Sequence, residues 1–273
     1  MEIEYSEKGY TYKLKGNVFI KTDNYEIFSN KGVYYEGDGI SELEGNVLVK
    51  GKNYITTSNY LKHIQKNDEI YLKGNVYLED SLRIIKANEV HVKNNFSRAK
   101  GNVHIYLKDK KIVCEGDSGN YDLNKKEGVI FNVKYINIIR DSDTVDIRTK
   151  IVFVFKENLK LKPLISLKTK REFAKGDSLI YETLKDSTEK ITIYNNAFIS
   201  WENGNGNSDT IIIYYKNSRI ENAQFINNAY VQTKNNEDII SVKSNLVNVE
   251  FSESRVKKVI CYDLIEGVSE KWK

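Results

Sequence analysis

The sequence predicts an all-β protein, an elongated antiparallel roll assembled from repeated two-strand units, and three observations carry that reading. The composition is rich in residues that suit pleated surfaces, a short turn-type motif recurs at nearly constant spacing, and apolar residues alternate around it. The 273 residues include 19 Tyr and 10 Phe but one Pro and one Met. Aromatic and β-branched side chains fit half-buried strands, and scarce proline suits long ladders because each Pro removes a backbone donor.

The repeat is the strongest of the three. Gly-Asn-Val occurs at Gly16-Asn17-Val18, Gly45-Asn46-Val47, Gly74-Asn75-Val76 and Gly101-Asn102-Val103, at steps of 29, 29 and 27 residues. Weaker copies follow at Phe131-Asn132-Val133, Asn195-Asn196-Ala197 and Asn227-Asn228-Ala229. A second signal, a small residue followed by Asn or Asp, comes about halfway through each unit. Its copies are Ser29-Asn30, Ser58-Asn59, Ala87-Asn88, Gly116-Asp117, Gly176-Asp177, Ser208-Asp209 and Ser244-Asn245. Gly and Asn tolerate left-handed backbone, so both signals read as corners, and two corners per unit imply two extended segments.

Alternation then assigns the faces. Two and four residues after the Gly stand Val18 and Ile20, Val47 and Val49, Val76 and Leu78, and Val103 and Ile105. Ile199 and Val231 take the corresponding place in the later copies, and Val90, Val92, Ile211 and Ile213 follow the second signal in the same way. Period two puts these on one face, which is expected to build a continuous aliphatic interior. The intervening Phe19, Leu48, Tyr77, His104, Phe198 and Tyr230 vary more and fall on the other face. The pattern blurs between about Arg140 and Lys175, around Ile151–Phe155 and Pro163. One continuous domain over residues 1–273 is the preferred reading, and an internal boundary near 140–175 is the alternative.

Several functions find no support. Net charge is +4 from 42 basic and 38 acidic residues, a mixed surface and not the concentrated positive field of a nucleic-acid binder. The basic stretches Lys160-Leu161-Lys162 and Lys168–Arg171 read as solvated faces, or as a rim that meets anionic headgroups. Mean hydropathy of −0.54 reads against an integral membrane protein, and no apolar run approaches the roughly 18 residues of a spanning helix. His63, His91 and His104 fall in different repeats without ligand spacing to Cys114 or Cys261, so no metal is expected. Cys114 is expected to be a buried free thiol. Gly204–Asn207 reads as a hairpin turn, since a phosphate loop would have to open a helix. Trp201 and Trp272 read as packing or end-cap residues. No carboxylate pair is placed for acid–base work, and neither catalytic residues nor a cofactor are predicted.

The run Gly74-Asn75-Val76, Ala87-Asn88-Glu89-Val90, Gly101-Asn102-Val103 and Gly116-Asp117-Ser118-Gly119-Asn120-Tyr121 resembles the LptA/OstA-like lipopolysaccharide-transport β-jellyroll family. The likeness is strong over residues 10–135 and weaker over 175–250, where the motifs lose their Gly. The resemblance implies an antiparallel β-jellyroll, periplasmic and non-enzymatic, that binds lipopolysaccharide acyl chains inside. It implies a place in a bridge from inner to outer membrane, with LptC-like and LptD-like jellyrolls as partners through edge-strand addition, or head-to-tail copies of itself. The opening Met1-Glu2-Ile3-Glu4-Tyr5 carries no signal pattern; a cytoplasmic protein and one whose signal has been removed both read this way.

The physics of such a conduit is simple. Each methylene withdrawn from water is worth about 0.8 kcal/mol, so an acyl chain of about a dozen carbons is held by up to roughly 10 kcal/mol. A uniform lining lets it slide, since neighbouring positions are equivalent. Candidate docking edges lie near Tyr10–Lys15 and Val256–Leu264. The rivals are a parallel β-helix of the polysaccharide-binding, lyase or adhesin kind, separable by parallel pairing, and a structural spacer that binds no lipid.

Overall fold

In the computed structural model, residues 1–21, 25–122, 124–140, 143–155, 158–184, 186–235, 238–253 and 255–271 are described. Nearly all of them lie in strands, and the chain divides into two compact units, Met1–Asn132 and Val133–Lys273. The division falls ahead of the stretch where the repeat blurs.

Unit 1 holds ten strands in chain order: β1 (Glu2–Ser6), β2 (Gly9–Lys21), β3 (Tyr25–Tyr35), β4 (Ile40–Gly51), β5 (Tyr54–Ile64), β6 (Glu69–Asp80), β7 (Arg83–Lys93), β8 (Phe96–Leu107), β9 (Ile112–Asp122) and β10 (Glu127–Phe131). Each strand pairs with the next, always antiparallel. Unit 2 holds β11 (Tyr135–Ile139), β12 (Thr144–Phe155), β13 (Asn158–Lys168), β14 (Phe173–Lys175), β15 (Ser178–Thr183), β16 (Glu189–Trp201), β17 (Gly204–Lys216), β18 (Arg219–Asn235), β19 (Asp238–Ser252) and β20 (Arg255–Lys271). Here β14 and β15 share the place of one strand between β13 and β16, and the other pairings again follow chain order. The protein is thus an antiparallel β roll of repeated two-strand units, without the parallel pairing a β-helix needs among its described strands.

One correction concerns phase. The Gly-Asn dipeptides do not reverse the chain; they sit at the middle of β2, β4, β6 and β8. Both residues of each are left-handed, with φ of +72° to +77° for Gly16, Gly45, Gly74 and Gly101 and +47° to +49° for the asparagines. The ladder slips at each of them, so that Gly45-Asn46 together oppose the single Asn59. This is a β-bulge, which bends its strand. The small-Asn/Asp pairs occupy the midpoints of β3, β5, β7 and β9, beside the bulges. In β2–β9 each sequence signal therefore marks the middle of one strand, whereas Asn132-Val133 and Gly176-Asp177 fall between strands, after β10 and between β14 and β15. The true reversals are less uniform in sequence, such as Lys52-Asn53, Ser81-Leu82 and Asn94-Asn95.

The two signals are physically coupled. A Cβ built on Gly45, Gly74 or Gly101 would stand 2.6–2.8 Å from the side-chain amide nitrogen of Asn30, Asn59 or Asn88 on the preceding strand. Ser29 and Ser58 each donate a hydroxyl hydrogen bond of 3.0 Å to the carbonyl two residues on, spanning that asparagine. Unit 2 uses Ser208 and Ser244 in the same way, at 2.7 and 3.2 Å. Where Asn-Asn replaces Gly-Asn, the neighbouring segment supplies Asp: Asn196 Nδ2 donates to Asp177, just ahead of β15, at 3.4 Å, and Asn228 Nδ2 to Asp209 of β17 at 3.1 Å.

The bulges align across unit 1 and split its strands into two sets of halves. Leu43, Leu61, Leu72 and Val90 from one set share a single core with Val18, Val47, Val76 and Val103 from the other. At the far ends, the Arg83 guanidinium lies 5.1 Å from the centre of the Tyr121 ring. The strands are therefore folded over at the bulges, and their two halves face each other. Gly204–Asn207 is a second correction: it opens strand β17, and the turn is Glu202-Asn203. A Cβ on Gly206 would stand 2.5 Å from the Phe225 ring, and one on Gly204 2.7 Å from Trp201. These glycines make room for rings that cross the core.

Candidate functional site

All of the aliphatic positions singled out from the sequence face inward, but the two units use them differently. In unit 2, Ile199, Ile211, Ile213 and Val231 are buried with Ile191, Ile193 and Leu179. Large rings fill the remaining space: Phe225 and Tyr215 are fully buried, and Trp201 packs edge-on to Phe251 with ring centres 5.5 Å apart. The Arg140 guanidinium covers the Tyr215 ring at 4.4 Å and pairs with Glu189, closing the core with a buried charge pair. Unit 2 is filled by its own side chains. Trp201 is a packing residue, while Trp272 lies outside the described residues.

Unit 1 is graded instead. Reading across the strands next to the bulge gives the row Val18, Ser29, Val47, Ser58, Val76, Ala87, Val103 and Gly116, every member buried. Two residues farther out runs Ile20, Ile27, Val49, Thr56, Leu78, Ile85, Ile105 and Cys114. Val49, Thr56 and Cys114 of this second row are buried, while Ile20, Ile27, Leu78, Ile85 and Ile105 are half-exposed. On the facing halves, Val90 is buried and Val92 half-exposed, next to half-exposed Ile70. No charged side chain enters these rows. The small residues next to the bulge are all buried, while the larger aliphatics two positions farther out are covered less completely.

Sequence reasoning missed Ile27, Ile85 and Ile70. A usable signal existed for two of them, because Ile27, Thr56, Ile85 and Cys114 all stand two positions before the small residue of the second motif. Tyr12 and Tyr34, stacked with ring centres 6.1 Å apart, belong to the rim of the same interior. The best-formed hollows among the described residues are open and polar, one lined by Tyr230, Lys243, Glu266 and Glu270 and the other by Gln65–Asp68 with Lys93 and Asn94. Neither coincides with the aliphatic rows.

The polar features are structural in geometry. The Glu69 carboxylate is buried, accepts from the Tyr71 hydroxyl at 2.5 Å, and lies 2.7 Å from His91 Nε2 and 3.4 Å from Lys93 Nζ. These contacts, led by the Tyr71 hydrogen bond, hold its pKa down to about 2. Both cysteines are free; Cys114 is buried, and burial pushes its thiol up to about 12. No group of three or more His, Cys, Asp or Glu able to hold a metal occurs among the described residues.

The sequence-proposed edges are partly covered. Thr11–Lys13 pair with β1 on one side and β3 on the other, whereas among the described strands Leu14–Lys21 have β3 alone. Val256–Leu264 lie in β20, whose one partner among the described strands is β19. Fold and interior together define an antiparallel β-roll protein with one filled core and one half-open aliphatic core. No protein-family model matches the chain, and no curated protein matches it.

Proposed function

We propose that the protein is a lipid carrier of the lipopolysaccharide-transport type, working in the periplasm as a segment of a bridge between the two membranes. Acyl chains lie along the half-exposed row of unit 1, and the open edges of β2 and β20 add strands of related rolls or of further copies. The observation that carries this reading is the second row of unit 1. Ile20, Ile27, Leu78, Ile85 and Ile105 form an uncharged aliphatic line that the protein's own side chains cover only in part.

A lipid tail covering that line regains the burial the protein lacks there, at about 25 cal/mol per Å² of apolar surface. The deeper valines hold the layers together whether or not a tail is bound. Similar side chains recur along the row, so a tail meets nearly the same surroundings at each strand and can advance without a deep trap. Unit 2, filled with rings, serves in this reading as the rigid part that carries the β20 edge.

Photo-cross-linking amino acids at Leu78 and Ile105, with mass spectrometry of the captured molecule, test this. Capture of an acylated lipid from these positions and not from outward-facing Lys86 is expected. Ile105→Asp, at a half-exposed position, removes capture at Leu78 while leaving the far-UV spectrum unchanged. Capture from Lys86 alone, or none from either interior position, overturns the proposal.

A further inference from the structure

Each unit carries an arginine that reaches from one half of its folded strands to a tyrosine of the other half. In unit 2 the arginine is Arg140, which follows β11, and the ring it covers at 4.4 Å is that of Tyr215 in β17. Glu189 of β16 stands in register with Tyr215 and pairs with the same guanidinium. Ring and carboxylate therefore both come from the facing half. An ion pair and a ring contact together hold the halves at that end, and the Arg140 side chain is 4% exposed.

Unit 1 has the same three residue types in a different arrangement. Arg83 opens β7 on the inward face, two positions ahead of Ile85. Its guanidinium lies 5.1 Å from the centre of the Tyr121 ring, which belongs to the facing half, in register with Ser97. The carboxylate, however, comes from Arg83's own half. Arg83 Nε donates to Asp80 Oδ2 at 3.0 Å, and Asp80 Oδ1 accepts from the backbone N–H groups of Leu82 and Arg83 at 2.8 Å each. Among the described residues, the Tyr121 ring is thus the single polar or aromatic partner of this side chain across the fold. The Arg83 side chain is 24% exposed.

This difference sets the strength of the two closures. A guanidinium resting on an aromatic ring at such exposure is worth about two- to thirtyfold in an equilibrium. Parting Arg140 from Glu189 would strand a buried charge, which is far costlier. The unit 2 closure is therefore fixed, whereas that of unit 1 is weak enough to open. Asp80 meanwhile keeps the arginine at its post whether or not the ring is under it.

The contact also stands in front of the proposed lipid surface. Arg83, Leu107 and Ile112 are in register at the outer end of β7, β8 and β9, and the next inward positions on the same face are Ile85, Ile105 and Cys114. Ile112 and Cys114 are buried, and Ile85 and Ile105 are partly so. Anything entering between the halves at this end meets the Arg83–Tyr121 contact first.

We infer that Arg83 and Tyr121 form a latch over the β7–β9 end of the unit 1 interior, and that it parts to let a slender apolar chain reach Ile85 and Ile105. Its use by a lipid tail rests on the carrier reading; the latch itself rests on the placing of Arg83, Asp80 and Tyr121. A tail sliding in takes the place of the guanidinium on the Tyr121 ring, and Arg83 turns outward with Asp80 still bound. The loss of one weak contact is offset by the apolar surface that the tail covers.

Cys114, buried just behind the latch, reports its opening without any lipid. The full chain is treated at pH 8 with dithiodipyridine, a small uncharged thiol reagent, and mass spectrometry of the peptides separates Cys114 from Cys261. Arg83→Ala and Tyr121→Leu should each speed Cys114 modification about tenfold and leave Cys261 unchanged. Combined, they should do no more than either alone, because both remove one contact. The faster rate should stay flat up to about 1 M urea, as befits an opening that exposes little surface. Gly16→Ala, at the bulge of β2, shows what lost stability alone does, and its Cys114 rate should climb with urea. Rates in the latch variants no greater than in Gly16→Ala, additive effects, or a steep urea dependence each overturn the inference.

A second arm follows the association of dansyl-undecanoic acid by stopped-flow fluorescence, expected to be about tenfold faster in both latch variants. Faster Cys114 modification with unchanged probe association would mean that chains enter elsewhere, and overturns the latch as an entrance. If the probe binds parent and variants alike while Cys114 is unaffected, the latch fails and the carrier reading stands. If Cys114 responds and no form of the protein binds the probe, the carrier reading fails and the latch remains as a closure.

Discussion

Replacing Gly74 by alanine separates the two reasons for a glycine at the bulge. Gly74 has φ of +76°, and a Cβ there would stand 2.7 Å from Asn59 Nδ2 and 2.9 Å from Asn59 Cβ. The left-handed backbone costs an L-residue about 1–2 kcal/mol, and forcing an atom into a packed contact about 1–3 kcal/mol more. Gly74→Ala should therefore destabilise unit 1 by about 2–5 kcal/mol. Gly16 is the internal control. Its φ is +72°, yet nothing lies within 4 Å of its would-be Cβ, because β1 ends before reaching it. Gly16→Ala should cost the backbone part alone, about 1–2 kcal/mol. Shortening Asn59 removes the obstacle, so Gly74→Ala with Asn59→Ala should be less destabilised than the two single losses added together. Urea unfolding followed by far-UV circular dichroism reads all four variants, and tryptophan emission reports unit 2 separately because Trp201 lies there. Equal losses for Gly16→Ala and Gly74→Ala, or strict additivity with Asn59→Ala, would refute the coupling of the two sequence signals.

Three further outcomes follow from the polar groups. The Glu69 pKa is lowered from an ordinary 4.5 to about 2, so the stability it contributes is present above pH 4.5 and is lost as pH falls toward 2. Glu69→Gln should flatten that part of an acid-unfolding profile monitored by circular dichroism. Native protein treated with a thiol reagent at pH 8 should modify half-buried Cys261 first, with Cys114 reacting only on unfolding; prompt labelling of Cys114 would contradict its burial. Glu189→Ala leaves the Arg140 guanidinium, whose side chain is 4% exposed, without its carboxylate, and should cost about 3–5 kcal/mol in urea unfolding. Replacing both partners by apolar residues should recover much of that loss.

The strand class, the two strands per repeat and the inward face of the aliphatics after each bulge were legible from residue order. Each depends on short-range chemistry: period-two alternation, the tolerance of Gly and Asn for left-handed backbone, and the scarcity of proline. The placing of the corners was not legible. Gly-Asn serves a hairpin turn and a mid-strand bulge with the same dihedral angles, and only the neighbouring strand distinguishes them. Asn59 lying over Gly74 is a contact between residues fifteen apart that neither dipeptide announces. Gly204–Asn207 misled for a related reason, since its glycines answer to Phe225 and Trp201 across the core.

Residue order by itself determined that this chain would make a repeated antiparallel β roll with an aliphatic inside, because local backbone preference and alternation suffice for that. Whether the inside is filled or half-open was decided by tertiary structure alone. Ile199 and Ile105 hold equivalent places after their bulges, yet one is fully buried in the unit that packs Trp201, Phe225 and Phe251 while the other stands beside Cys114 and Ile85 and is partly exposed. Burial depends on what the facing half of the roll carries, and that half is brought there by bends many residues away.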